Sequence, residues 1–246
     1  MARLKAMMPD AGCRTIANTF NRMHAAYGVT VSKTWVADFL RAHRYEVEGI
    51  RRRMKRRVPG PMPRNRIWGA DLTGKQDTAG IVHPILGVTD HGTRRLLVLE
   101  GLERKNAWTL LGHLFLAIGK FGKPRAVRTD NESMFRSALW RSVLRLAGIR
   151  QQLTDPGSPW MNGRIERLFG TLKAKLDWVE VASGAALQAG LGDFRDWYNH
   201  VRPHQHLAGW TPVEAWEGVD PYARPVKSVR YFSAWEGLLT GYYLRR

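Results

Sequence analysis

Between residues 67 and 176 the period of the apolar residues changes in an order that narrows the choice of fold. Three strand-like runs come first, over 67–72, 81–90 and 95–100, joined by short polar links. Links of that length favour an antiparallel meander. Helical and strand patterns then alternate: a helix over 105–119, a strand over 125–129, a helix over 133–147, a strand over 149–153 and a long helix over 162–176. A meander continued by strand–helix alternation predicts an α/β fold, a mixed sheet flanked by helices.

The segment ahead of this region has a different character. Ile16, Phe20 and Met23 share one helical face over 13–27, and Gly28 ends the pattern. A second helix starts at Ser32, a good N-cap, and runs through Val36, Phe39 and Leu40 to about His43. Two short helices joined by a glycine-containing turn read as a helix-turn-helix over 1–48. Lys33 and Thr34 would open its recognition helix, where base edges are usually met. Residues 49–65 read as an extended, basic, Pro-rich linker. Arg51, Arg52, Arg53, Lys55, Arg56 and Arg57 are followed by Pro59, Gly60, Pro61 and Pro63, and no acid interrupts 51–66. Phosphate contact is preferred for this run over a merely solvated spacer. The sheet-forming region is placed at 66–205, with a C-terminal extension over 206–246 that carries no usable motif.

A formal charge of +18 and a pI near 10.8 call for a polyanionic partner, either nucleic acid or an anionic membrane surface. No run of the sequence reaches the roughly 18 apolar residues of a membrane span, and Pro9 breaks the start too early for a signal sequence. The expectation is a cytoplasmic protein bound to nucleic acid. Cys13 is the single cysteine, which excludes an intramolecular disulfide and a multi-cysteine zinc site. His204 and His206 are read as packing or solvent-facing residues rather than metal ligands.

On so basic a chain, three acids draw notice: Asp71 on the first strand, Asp130 directly after the fourth, and Glu166 on the long helix, with 35 residues between the last two. The carboxyl end of a strand is where open α/β sheets place ligands. Singly, each is an ordinary surface carboxylate; together they should converge and repel one another, and bound cations would keep such a site ionised. Phosphoryl transfer on DNA uses two divalent ions about 3.5–4 Å apart, and hard ions of that kind take carboxylate ligands. Asp90, which ends the second strand, is read as a turn-stabilising residue instead.

The set Asp71, Asp130 and Glu166 resembles the D,D-35-E triad of the retroviral-integrase core, as found in transposases of bacterial insertion sequences. The surrounding residues strengthen the resemblance: Thr129-Asp130-Asn131, the stretch from Pro159 to Arg167, Tyr198-Asn199-His200-Val201-Arg202-Pro203-His204, and Leu207 with Thr211-Pro212-Val213-Glu214-Ala215. It covers about 67–216. It implies an RNase H-like fold, two Mg²⁺ or Mn²⁺ ions held by the triad, and DNA cleavage with strand transfer. It further implies that Asn162, Gly163, Arg164 and Lys173 meet the DNA end beside the metals, and that the chain works as a homo-oligomer. Many relatives carry two N-terminal helix-turn-helix units where this chain has room for one, so a companion DNA-binding polypeptide is a further possible partner.

Many relatives also have glycine after the Asp-Asn pair, where this chain has Glu132. Two roles stay open for Glu132, support of the metal site or capping of a helix at Ser133, with capping preferred. Three other functions compete. A tyrosine recombinase would use His91 and Arg94, but no tyrosine follows until Tyr198. A catalytically inactive, transposase-derived DNA-binding protein and an RNase H-like nuclease are the stronger alternatives.

Overall fold

The computed structural model describes residues 1–55, 62–154 and 162–246, and of 53–55 the backbone alone. Two compact units emerge, Met1–Gly60 and Pro61–Arg246. Among the described residues no helix is long and apolar enough to cross a membrane.

The first unit contains four helices: α1 (Ala2–Met7), α2 (Cys13–Met23), α3 (Lys33–Ala42) and α4 (Arg44–Lys55). The two expected helices are α2 and α3. Ser32 Oγ accepts from Trp35 N at 3.1 Å and caps α3, and Gly28 turns the chain at φ +66° after a 3-10 turn over Ala25–Tyr27. Asn21 clamps the returning chain, since its side chain both donates to and accepts from the backbone of Val31. Ile16, Ala17 and Val36 form the buried centre between α2 and α3. The outer helices α1 and α4 meet through Ala2, Ala6 and Val47.

Helix α4 corrects the linker expectation. The backbone stays helical to Lys55, although the downstream prolines predict extended chain from residue 49 onward. Proline disfavours helix at its own position and the one before it, and the first proline here is Pro59. Arg51 folds back toward the carbonyls of Lys5 and Pro9, whereas Arg52 is exposed. Arg56 and Arg57, and the side chains of Arg53 and Lys55, lie outside the described residues.

The second unit is built on a five-stranded sheet in the order β3-β2-β1-β4-β5. Its strands are β1 (Ile67–Gln76), β2 (Val82–Asp90), β3 (Leu96–Gly101), β4 (Ala126–Thr129) and β5 (Arg150–Leu153). The meander β1–β2–β3 is antiparallel, while β4 and β5 add in parallel on the far side of β1. Helices α5 (Ala107–Phe121) and α6 (Ala138–Leu146) make the parallel crossovers, followed by α7 (Gly163–Leu176), α8 (Gly184–Asp196) and α9 (Pro212–Glu217). Asn106, Ser137, Ser183 and Thr211 supply N-caps for α5, α6, α8 and α9, the last within a capping box with Glu214.

Strand alternation separates two cores. On one face Trp68, Ala70, Leu86 and Val88 pack with α5, α6 and Trp216 of α9. On the other Ile85 and Leu99 pack with Ile165, Leu168, Phe169 and Leu172 of α7 and with α8. The expected mixed sheet flanked by helices is what forms. The chain beyond 206 folds in with this unit rather than extending from it. A hairpin of β6 (Ser228–Ala234) and β7 (Leu239–Arg245) buries Leu239 in the second core, and Trp197 Nε1 donates to Thr240 O at 2.9 Å.

Candidate active site

Each acid is positioned by a different element, and the alignment of α7 along β1 decides whether they meet. Gly87 sets that alignment, and Gly69 leaves room for the His91 ring beside the first turn of α7. A methyl group on Gly87 would stand 2.7 Å from the Phe169 ring, whereas one on Gly69 would run into the His91 ring and meet Asn162 Oδ1 only at an ordinary 3.5 Å. The middle of α7 is thereby seated over Gly87, the cross-strand partner of Asp71. Lys75 Nζ donates to Leu176 O at 2.9 Å and ties the far end of α7 to the far end of β1. Asp71 lies two residues from Gly69 on the same sheet face, so it looks toward α7.

The other acids lie within electrostatic reach of Asp71. The Asp71 carboxyl is pushed up to about 6, first by burial and then by the negative charges of Asp130, Glu132 and Glu166. A bond from Leu72 N to Asp71 Oδ1, 2.8 Å long, works in the opposite direction. Asp130 follows β4 directly and its carboxyl is also raised, chiefly by burial and partly by Glu132. Backbone donation from Glu132 N at 3.1 Å and the positive charge of Lys105 oppose that rise. Glu166 is exposed on the first turn of α7. Among the described residues, no three acidic, histidine or cysteine side chains are gathered closely enough to enclose a metal ion. The donor chemistry nevertheless suits a hard divalent cation: carboxylate oxygens, crowded by like charge, with no cation among the named causes except Lys105.

Glu132 departs from expectation. It does not cap a helix at Ser133, because α6 begins later with Ser137 as its N-cap. Instead Glu132 pairs with Lys105 at 3.0 Å and adds its charge to the acidic group. Asp90 takes the turn role expected of it, fully buried and accepting from Thr93 N, Thr93 Oγ1 and Asn65 N.

The expected DNA-contact residues are distributed unevenly. Asn162 turns inward: it is 3% exposed, and its Oδ1 has no hydrogen-bond partner among the described residues. Gly163 opens α7. Arg164 reaches across to donate to the carbonyl of His91. Lys173 is exposed, and Asp177, its i+4 neighbour, lies 4.0 Å from Lys75 instead. The loop of Pro159 that leads into α7 lies outside the described residues. In the first unit Lys33 and Thr34 are exposed at the start of α3. His91 escaped the sequence reading as a site neighbour. It is buried, and burial together with Arg164, Arg128 and Arg94 pushes its ring down to about 3, so it is neutral.

A mixed five-stranded sheet with acids on its central strand, at the end of the adjoining parallel strand and on a covering helix defines an RNase H-like protein of the integrase-core class. Similarity to known proteins agrees. The family described as "Integrase core domain" matches residues 63–159 and again 147–212. The protein described as the putative transposase for insertion sequence element IS986/IS6110 of Mycobacterium tuberculosis is 29% identical over 178 residues, covering 65% of this chain and 60% of the relative. Among solved structures, the HTLV-2 integrase catalytic core domain in complex with magnesium, in its trimeric form, covers 63% of this chain and 98% of that one at TM-score 0.51 and 17% identity. The simian T-cell lymphotropic virus intasome in complex with the PP2A regulatory subunit B56 gamma covers 98% of this chain and 86% of that one at TM-score 0.54 and 18% identity. The chain carries an integrase core domain across residues 63–212 and is similar to insertion-sequence transposases. It spans about 60% of the length of the mycobacterial relatives.

Proposed function

We propose that this protein is a DNA transposase that cleaves at the ends of its element and joins the freed 3′-OH to target DNA. The observation that supports this reading is that the charges of Asp130 and Glu166 reach the buried Asp71 carboxyl on an integrase-type sheet. Asp71, Asp130 and Glu166 are the residues that would hold Mg²⁺ or Mn²⁺. When bound, such ions supply charge neutralisation for the attacking and leaving oxygens of an in-line displacement. Asp71, stiffened by its strand and by the Leu72 bond, keeps one carboxylate fixed in the middle of the group. Asp130, tethered to Glu132 N, orients the second. Glu166 brings the third from a helix whose seating depends on Gly87.

In the first reaction water oxygen bonds to phosphorus and the element's 3′ oxygen leaves with a proton. In the second that 3′ oxygen attacks a target phosphodiester, whose own 3′ oxygen leaves. One P–O bond is made for each one broken, and no covalent enzyme intermediate is required. Lys33 and Thr34 at the head of α3 would read the element end, with Arg52 and the basic run after it on phosphates. Lys173 would meet the end as a point charge. Double-stranded DNA as substrate places the work in the cytoplasm, and pairing two ends would require more than one copy of the chain or a companion polypeptide.

The deciding experiment incubates the full chain with a labelled terminal repeat of its own element and a target plasmid, with Mg²⁺ or with EDTA. Joined products that need the metal are expected. Cleavage without joining would make the protein a nuclease. Shifted DNA with no chemistry would make it a binding protein.

A further inference from the structure

Helix α7 borders a second gathering of like charges, and it is cationic. Arg164 and Arg167, together with Arg94, Arg202, His204 and His206, line a cavity of about 460 Å³, and no carboxylate is among the lining residues. Arg164, Arg167 and Thr171 enter it at i, i+3 and i+7 of α7, the spacing of one helical face. Among the described residues none of the four arginines has a carboxylate within ion-pair distance.

The fold fixes the backbone of Arg94 and the guanidiniums of Arg164 and Arg202, while Arg167 is exposed. Arg94 sits in the left-handed region at φ +65°, a conformation that non-glycine residues adopt only when their surroundings impose it. The turn around it imposes it: the buried carboxylate of Asp90 accepts from Thr93 N at 2.8 Å, Thr93 Oγ1 at 2.9 Å and Asn65 N at 2.9 Å, and Arg94 N donates to Asp90 O. Asp90 is thereby occupied with the turn. Arg202 lies over the Trp197 and Tyr198 rings, 5.5 and 5.6 Å from their centroids. Arg164 is anchored on the His91 carbonyl. His204 packs edge-on against Tyr198, and burial with Arg202 and Arg94 pushes its ring down to about 4, so it adds hydrogen-bonding capacity rather than charge.

Arg94, Arg164 and Arg202 repel one another in a cavity that no carboxylate lines, with the turn-bound Asp90 acting on Arg94 and Arg164. An ordinary solvated face would leave them free to spread apart. Here burial and stacking prevent that. Planar guanidinium forks suit phosphate oxygens through paired hydrogen bonds. Glu166 lies between Arg164 and Arg167 on α7, so one helix carries both the acid and two walls of the pocket.

We propose that this pocket clamps a backbone phosphate of the DNA strand, away from the phosphodiester that reacts at the acids. The proposal rests on the transposase reading above, in that it takes DNA as the substrate. Its sequence signal was present but silent: the Tyr198–His204 stretch contributed to the family resemblance without suggesting any chemistry.

The test measures DNA affinity against salt for the full chain in EDTA, so that cleavage plays no part. The double variant Arg94→Gln/Arg202→Gln and the exposed single variant Arg167→Gln, which spares the fold, are compared with Arg141→Gln/Arg145→Gln on α6. The log–log salt slope should become shallower by about 0.9 for each phosphate that is no longer neutralised, and by more than in the α6 control. A photoreactive residue introduced at Gln205, on the pocket wall, should crosslink to the DNA. Slopes that match the α6 control, with DNA still bound and no crosslink, would overturn the pocket and leave the transposase reading intact. No salt-dependent DNA binding by the wild type would overturn both. Thermal stabilisation by inorganic phosphate that these variants abolish, with the DNA slope unchanged, would identify a free-anion site and overturn the DNA assignment.

Discussion

The two gatherings of charge beside α7 are built on opposite terms. Asp71, Asp130, Glu132 and Glu166 crowd acid against acid, and burial raises the Asp71 carboxyl to about 6. Arg94, Arg164, Arg167 and Arg202 crowd cation against cation, and burial lowers Arg94 to about 10. A fold selected for stability alone would pair the two sets, since isolated buried charge is costly and opposite charges relieve it. Here they are kept apart on one helix. The difference teaches that the two clusters ask for different company, and the proposals above assign divalent cations to one and phosphate to the other.

The largest expected effect tests the acidic side. Asp71→Asn, Asp130→Asn and Glu166→Gln should each lower cleavage and joining by on the order of a thousandfold or more, since each would remove several kcal/mol of transition-state stabilisation. DNA affinity should hold, and the stabilisation of the wild type by Mg²⁺ in thermal melts should shrink in each variant. Activity within tenfold of wild type would remove that acid from the site.

A smaller effect attacks the alignment that keeps the clusters apart. Gly87→Ala would press a methyl group against the Phe169 ring, 2.7 Å away, and overpacking of this kind costs about 1–3 kcal/mol. Lower stability in urea melts, with partial recovery in Gly87→Ala/Phe169→Leu, is expected. An unperturbed melt would mean that α7 is not seated as described.

The smallest effect reads the two sides by pH, with opposite signs. The His204 ring is held down at about 4, so the unfolded chain takes up a proton first. That contribution to stability is complete above the ordinary histidine range and is lost as pH falls from about 6.5 toward 4, by on the order of 2 kcal/mol. His204→Gln should flatten this acid limb. The Asp71 carboxyl is raised, so the folded chain holds its proton longer and loses stability as pH rises from about 4 to 6. Asp71→Asn should therefore stabilise the metal-free protein at pH 7.5 by roughly 1–2 kcal/mol, with the gain vanishing near pH 4. A shared sign for the two variants would contradict the comparison.

Much of this molecule is local, and locality makes it legible. The β1–β5 and α5–α7 segments were readable because apolar period reports which face is buried, and Ser32 was readable because a cap involves only its own turn. The start of α6 was misplaced because two helix starters, Ser133 and Ser137, compete within one turn and packing of Phe135 and Trp140 chooses between them. Helices α1 and α4 were missed because each offers too short an apolar stripe to be recognised without its partner. The C-terminal hairpin was missed because it closes on Trp197, 43 positions before Thr240, and on Val201.

The sequence by itself determined the order of the elements, the mixed sheet, the strongly cationic balance and the three acids, because these depend on residue type and near-neighbour period. Only the tertiary structure decided that Glu132 pairs with Lys105, that Asn162 turns inward over Gly69, and that Arg94, Arg164, Arg167 and Arg202 share one cavity. Contacts of that kind join residues tens of positions apart. Those made by α7 follow from where it is seated on the sheet, and that depends on the space left at Gly87 rather than on any pattern along the chain.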